Sequence, residues 1–274
     1  MSEEPLYPKV VAGYAPTEWG EDARVLGERV VAADGGELEL VHVDRGSPAH
    51  VLREMAEQGM ADLIVLGSNH HAAIGSVAPG SVAEQLLKGA KCRLLIAPRG
   101  FARARAVRDA QERGERLDPK PGDAELPYVR DELRVAAVGF NGSAESRVAL
   151  DEATRLALKF GATIRVIAAC EPGPAAVGPP EGPPPTEIAA GNLQTLLLET
   201  VAHLPPEVRA QPLFERGDPV EQLLEHAKEG VDLLVLGSRG FGPVLRAMLG
   251  SVSARVIRRA PCSVMVVPRP PEVR

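Results

Sequence analysis

Short apolar runs rich in β-branched residues alternate along the chain with amphipathic stretches. In the second half, the runs at 133–139, 162–169, 211–215, 232–237 and 263–267 predict buried strands. The stretches between them, 143–160, 187–203, 218–230 and 251–259, have the spacing of helices. Strands that alternate with helices predict right-handed crossovers and a parallel sheet covered on both faces.

Start and stop signals support these elements. Ser143 opens one helix and Gly161 closes it, while Asp218 followed by Pro219 is typical of a helix N-terminus. Residues 171–185 form a Pro/Gly-rich segment that predicts a loop.

The chain contains an internal repeat. A shift of 170 residues aligns 61–98 with 231–268 without a gap, and 45–59 matches 216–230 with Met60 as an extra residue. Further upstream, 9–14 aligns with 135–140. The second copy is about 45 residues longer in its middle. In the first copy a strand at 37–43 leads directly into a helix at 47–58, which predicts that one strand and one helix are missing.

The repeat predicts three parts of the chain. Residues 1–98 form a truncated domain, 99–130 a charged linker, and 131–274 a complete domain. In the linker, acidic residues are interleaved with arginines, so we expect a spacer with a solvated helix of about three turns and not a nucleic-acid patch.

Composition narrows the class of protein. A chain that is 45% hydrophobic and 25% charged is ordinary for a globular protein, and a net charge of -6 argues against a nucleic-acid binder. Because the sequence has no long apolar run and no signal-peptide pattern, we expect a cytoplasmic protein without a membrane partner. Three cysteines without partners predict buried thiols, and the histidine spacing predicts no metal site.

Candidate chemistry is concentrated in the loop after the strand at 232–237. Gly237 and Gly240 lack Cβ atoms, so the backbone can bend closely round an anion. The Gly250-Ser251 pair opens a helix, whose first N–H groups favour negative charge. Side chains that could add donors are Arg239, Arg246, Ser251 and Ser253. The loop has neither the Walker A nor the G-x-G-x-x-G pattern. A purely structural turn therefore stays open as an alternative.

The pattern Gly-x2-Gly-x9-Gly-Ser, between the strands DLLVLGS and CSVMVVP, resembles the ATP-binding signature of the universal stress protein family. The resemblance covers both copies and so suggests a tandem member. It implies an α/β fold with two Rossmann-like (adenine nucleotide alpha hydrolase-like) domains, the first truncated by one strand and one helix. It also implies ATP or ADP as ligand, with Mg²⁺.

Carried over by position, the resemblance assigns roles in the second copy. The residues expected at the phosphates of the nucleotide are Gly237, Arg239, Gly240, Gly250, Ser251, Val252 and Ser253. Ala169 would contact the adenine, and Asn141 stands where the family has an acidic residue at the nucleoside end. The family's last strands pair across a dimer axis, so 93–97 and 263–267 are expected to pair within this chain. A further homodimer is left open.

The first copy departs from the pattern at three places. Ala15 replaces the acidic residue, His70 replaces the second glycine, and the missing strand and helix are expected to remove the adenine wall. Its cleft is therefore predicted not to bind nucleotide. His70 and His71 are interpreted as exposed loop residues, because adjacent side chains diverge and no third ligand is evident.

Three functions follow from these patterns. The first is a stress-response protein that binds ATP in its second domain, with the first domain as a pseudo-dimer partner. The second is a nucleotide-independent interaction scaffold with a relic loop, which Asn141 favours. The third is an enzyme such as a nucleotidyl transferase. No catalytic set is evident, and Glu215 and Asp218 are left without a role, so activity would be at most slow ATP hydrolysis.

Overall fold

The computed structural model describes residues 4–43, 46–89, 91–171, 185–238 and 250–268. Seven elements form the first half: β1 (Lys9–Gly13), α1 (Glu18–Asp34), β2 (Glu37–Val41), α2 (Pro48–Glu57), β3 (Leu63–Gly67), α3 (Ser81–Leu87) and β4 (Arg93–Ala97). A linking helix, α4 (Phe101–Glu112), follows. The second half contains β5 (Val135–Gly139), α5 (Ala144–Phe160), β6 (Thr163–Cys170), α6 (Pro185–Ala202), β7 (Arg209–Arg216), α7 (Pro219–Lys228), β8 (Leu233–Ser238), α8 (Ser251–Ile257) and β9 (Ser263–Pro268).

The strands of both halves form one continuous sheet. Its order is β2-β1-β3-β4-β9-β8-β5-β6-β7, and neighbouring strands are parallel except where β4 meets β9. At that seam the strands pair antiparallel, with Leu95 opposite Met265. The predicted pairing of 93–97 with 263–267 within one chain is therefore confirmed.

The truncation predicted for the first half is also confirmed. In the second half β7 lies outside β6 and α6 packs on both strands, whereas β2 is the outermost strand of the first half. The missing strand and helix therefore leave one edge of the sheet a strand short.

The sequence signals for helix ends correspond to observed caps. The Ser143 side chain accepts a hydrogen bond from the Ser146 N–H, and Gly161 ends α5 with a φ of 65°. The Asp218 carboxylate accepts from the Val220 N–H at the start of α7. Strand β7 is longer than the predicted 211–215, because it pairs with β6 along eight residues.

The linker helix is present, but the expectation that it is solvated all round was wrong. Phe101, Ala104 and Ala110 are buried, and α4 packs against α1. At its start both carboxylate oxygens of Asp22 accept hydrogen bonds, from the N–H groups of Gly100 (2.9 Å) and Ala102 (2.8 Å). The apolar face of α4 is narrow, so the charged residues on either side of it mask the pattern in the sequence. A few buried residues are enough to pack a helix against its neighbour.

One matching pair of residues in the repeat has a clear structural role. The Asp62 carboxylate accepts from the Lys9 N–H (2.9 Å), and the Asp232 carboxylate accepts from the equivalent Val135 N–H (2.9 Å). Each aspartate therefore supplies the first strand of its half with a partner for its N–H. The two aspartates therefore occupy matching positions of the repeat because both stabilise the fold.

Apolar side chains from both halves fill the core on each face of the sheet. The Cys92 and Cys262 thiols are buried, and burial raises the pKa of each to about 12. These two core thiols are protonated at neutral pH, which agrees with their interpretation as small apolar side chains.

A buried polar network joins the two halves. Glu152 is only 3% exposed, and its carboxylate accepts from the Tyr7 hydroxyl (2.5 Å), from Arg93 (2.9 Å) and from Arg155 (2.9 Å). The Arg93 Nε atom lies 2.8 Å from the same carboxylate as an ion-pair contact. Tyr7 and Arg93 belong to the first half, whereas Glu152 and Arg155 lie on α5. Burial opposes ionisation of Glu152, but its bonds to Arg93 and Tyr7 dominate and lower its pKa.

Candidate functional site

A cleft lies at the carboxyl ends of β5, β6 and β8, where ligands bind in open α/β sheets. It is bounded by the first turns of α5, α7 and α8. Seven of the residues predicted from the sequence line it: Asn141, Ala169, Gly237, Gly250, Ser251, Val252 and Ser253. The other three candidates of the loop, Arg239, Gly240 and Arg246, lie outside the described residues.

Sequence reasoning missed the apolar wall of this cleft. Phe140, Ile167, Leu223 and Leu236 line it beside the predicted residues. Phe140, Ile167 and Leu236 lie at or near the ends of the runs predicted as strands, so their position at the carboxyl edge of the sheet was an available signal. The wall offers a planar ring an apolar contact surface, while the opposite rim is polar.

Asn141 shapes the turn between β5 and α5. Its side-chain oxygen accepts a hydrogen bond from the Ser143 backbone N–H (3.1 Å), and the backbone N–H of Asn141 donates to the Ser146 hydroxyl (3.4 Å). The side-chain NH₂ is the remaining polar group. An aspartate here could make the same turn and keep a second oxygen as acceptor. Asn141 therefore presents a donor to the cleft where the family has an acceptor.

Gly237 is required by packing. A Cβ atom at this position would lie 2.1 Å from the carbonyl oxygen of Glu145 on α5. At the equivalent Gly67, a Cβ would lie 1.9 Å from the carbonyl oxygen of Trp19, which is the counterpart of Glu145 in the repeat. The first glycine of the signature thus lets the strand end approach a helix in both halves, whatever binds in the cleft.

The start of α8 forms the polar rim. The Ser253 hydroxyl donates to the Gly237 carbonyl (3.4 Å), which ties α8 to β8. Arg255 on α8 forms an ion pair with Asp218 (2.7 Å). Because the Asp218 carboxylate also caps α7, both of its contacts stabilise the fold.

Glu215, the other acidic residue without an assigned role, is also engaged. Its carboxylate contacts the His226 ring (2.9 Å). Within the described residues, no group of three or more His, Cys, Asp or Glu side chains is placed to hold a metal ion.

A second cleft occupies the equivalent place in the first half, lined by Ala15, Trp19, His70 and Gly80 among others. The His70 ring lies 5.6 Å from that of Trp19 and 3.8 Å from that of His71. Both histidines are exposed, as predicted, but the expectation that their side chains diverge was wrong, because the two rings lie against each other. Arg99 donates to the carbonyl oxygens of His70 (3.1 Å) and Ala72 (2.8 Å), so the loop is held by its own contacts.

The expectation that the truncation removes the adenine wall stays a prediction, because residues 172–184 of the extra segment lie outside the described residues. No residue of α6 or β7 is among the described residues lining the second-half cleft. Both elements lie one strand further out than β6. In the first half Val43, which corresponds to Ala169, still lines the cleft. The two clefts therefore differ in their loops and first turns.

These halves, each an α/β unit with a cleft at the carboxyl ends of its strands, define a tandem Rossmann-like protein. The sequence pattern of the "Universal stress protein family" matches residues 2–98 and 133–268. The chain belongs to the universal stress protein family. Among the described residues, no helix is long and apolar enough to cross a membrane.

Curated relatives carry the same family name. A universal stress protein of Thermus aquaticus is 33% identical, over 49% of this chain and 98% of the relative. One from Mycolicibacterium smegmatis is 30% identical, over 76% of this chain and 62% of the relative. Another, from Bacillus subtilis, is 44% identical over 22% of this chain and 41% of the relative. The chain thus spans less than two thirds of the last two.

A solved structure shows the same fold. A universal stress protein from Pseudomonas aeruginosa superimposes with a TM-score of 0.58 at 15% identity, covering 96% of this chain and 94% of the other. At 15% identity, this similarity shows that the two proteins share a fold, and the shared fold includes both halves of the chain.

Proposed function

We propose that the second-half cleft binds an adenine nucleotide, ATP or ADP with Mg²⁺, and that the chain acts as a stress-response protein through this binding. Residues 131–274 form the binding domain, 1–98 its non-binding partner, and 99–130 the linker. Binding would favour one conformation over another. The proposal does not require hydrolysis.

The observation that carries the proposal is convergence. Residues separated by more than a hundred positions, from Asn141 to Ser253, line one cleft at the edge of the sheet where nucleotides bind in this fold class. The apolar wall suits the adenine ring, and the Asn141 side chain suits the ribose. The free N–H groups and hydroxyls at 250–253 suit phosphate oxygens.

The difference between the halves supports one site per chain. At the position of Glu145 the first half has Trp19, and its cleft contains the ring of His70, tilted against that of Trp19. Aromatic rings at this place leave less room for a charged phosphate chain. An anion there would also have to displace the contacts that hold the loop to Arg99.

Small molecules released from the purified, denatured protein test the proposal by mass spectrometry. We expect bound ATP or ADP, and an increase in melting temperature with millimolar Mg-ATP. Gly240→His should abolish that increase, because it copies the first half, whereas His70→Gly in the other cleft serves as the matched control. Absence of both released nucleotide and a melting shift would refute the proposal.

Asn141 favours a second candidate, a scaffold that works without nucleotide. If only the missing acceptor weakens binding, Asn141→Asp should strengthen Mg-ATP binding several-fold and leave the turn intact. An Asn141→Asp protein that still shows no melting shift would favour the scaffold, because the cleft would then fail even with the family's residue restored.

A further inference from the structure

A second kind of cavity lies at the seam between the halves. It occupies about 380 Å³ between α1 and α5, where β4 meets β9, and residues 128–133 of the connection before β5 form part of its wall. This volume is within the range of small-molecule sites, which occur preferentially at domain interfaces. We call it the seam cavity.

The wall of the seam cavity is mainly apolar and comes from both halves. Apolar residues on this wall include Leu26, Leu95, Phe101, Leu133, Leu156 and Met265. None of the described residues that line the proposed nucleotide cleft also lines the seam cavity. A ligand here would bind independently of the proposed nucleotide.

Ser263 is a polar group on this wall that lacks a partner. It is 6% exposed, and its hydroxyl makes no hydrogen bond with any described residue. The hydroxyl therefore provides a vacant hydrogen-bonding position within an apolar wall.

Arg29 supplies a positive charge at the same cavity. Its guanidinium donates to the Arg130 carbonyl and lies 5.6 Å from the centre of the Phe101 ring, but among the described residues no carboxylate pairs with it. Burial and the nearby Arg105 lower its pKa, and the more distant carboxylates of Asp131 and Asp232 offset this only in part. An anion beside Arg29 would relieve both effects.

The acidic residues near Arg29 already have partners. Asp131 is held by Arg105 and by Arg108 (2.8 Å). Asp232 is held by Arg130 (2.9 Å) and by backbone N–H groups. Glu132 is largely exposed and lies beside Arg134 (3.7 Å). The charge at the cavity that an incoming group can still pair with is that of Arg29.

We propose that the seam cavity binds a small apolar molecule with a terminal carboxylate, such as a medium-chain fatty acid. The carboxylate pairs with Arg29, and the hydrocarbon chain lies along the apolar wall. At about 30 Å³ per heavy atom, the volume that water takes in the liquid, 380 Å³ holds about a dozen heavy atoms. Decanoate has this size.

A chain-length series measured by isothermal titration calorimetry on the full chain tests the proposal. From hexanoate to decanoate, each added methylene should tighten binding about fourfold, as burial of one CH₂ does. Longer acids should gain no more, because the cavity is then full. Affinity that does not depend on chain length, or decanol binding as tightly as decanoate, would overturn the proposal.

Two variants separate the charge from the cavity. Arg29→Gln should weaken decanoate binding at least about tenfold, which corresponds to loss of a hydrogen bond to a charged group. Arg24→Gln, on the same helix but paired with Glu21 and Glu28, should bind like the wild type.

Ser263→Leu fills the cavity from the sheet side. It should abolish decanoate binding without lowering the melting temperature, since the added carbons occupy existing space. Unchanged decanoate affinity in Ser263→Leu or in Arg29→Gln would refute the assignment. Mg-ATP should shift the melting temperature of Ser263→Leu as it does the wild type, so failure of one site is distinguishable from failure of the other.

Discussion

Arg93→Met should be among the most destabilising single changes outside the apolar core. Arg93 holds Glu152, which is 3% exposed, through an ion pair (2.8 Å) and through one of the three hydrogen bonds that the carboxylate accepts. Removing one partner of a buried ion pair costs about 3–5 kcal/mol, because a buried charge is left poorly compensated. Arg155 and Tyr7 remain, so the lower end, about 3 kcal/mol, is expected.

A double-mutant cycle isolates this interaction. Glu152→Gln alone should cost about 2 kcal/mol, because Arg93 and Arg155 are partly exposed and can be solvated. The double variant should cost little more than Arg93→Met, since no buried carboxylate is left without a partner. The expected coupling is about 2 kcal/mol. Urea unfolding followed by circular dichroism and by Trp19 fluorescence gives the four free energies of unfolding.

The pH dependence provides a second check on the network. The folded-state pKa of Glu152 lies below its unfolded value. Its stabilising contribution is therefore present at neutral pH and is lost as the pH falls through the folded pKa. In Arg93→Met this acid-dependent loss should shrink. Additivity of the two single changes within about 0.5 kcal/mol would refute the reasoning, because the residues would then be independent.

Three further changes test other parts of the structure. Burial raises the pKa of Asp22 to about 6, above its unfolded value, so the free energy of unfolding should fall as the pH rises through 6, and Asp22→Asn should flatten this slope in urea titrations. Gly237→Ala and Gly67→Ala should each lower the melting temperature by several degrees without ligand; an effect in neither would contradict the packing role. Dithionitrobenzoate should modify Cys170 quickly in the native protein, and the two core thiols only on unfolding.

The two halves show how far the repeat alone carries the prediction. Matching segments predicted the succession of strands and helices and the truncation, because both depend on the local hydrophobic pattern. The pairing of 93–97 with 263–267 followed from the family's symmetry. The repeat alone does not indicate which physical role causes two residues to match. Asp62 and Asp232 match because each pairs with the first strand of its half. Gly67 and Gly237 match because a backbone carbonyl approaches each of them.

The sequence also predicted the residues that line the second-half cleft, since glycines and hydroxyl residues at strand ends stand out in a linear pattern. It missed the apolar wall, because Phe140, Ile167 and Leu236 look like ordinary strand residues until the sheet places their ends side by side. It misjudged the linker helix for a related reason. Three buried residues among many charges give little periodic signal, although they suffice for docking on α1.

By itself, then, the sequence determined the alternation of strands and helices, the duplication and the glycine signature, which are properties of neighbouring residues. Only the tertiary structure decided what lies at the seam. Tyr7, Arg93 and Glu152 come together there although up to 145 positions separate them. The seam cavity forms beside them from both halves. Contacts of this kind depend on how whole elements pack, because burial and charge pairing act through space and not along the chain.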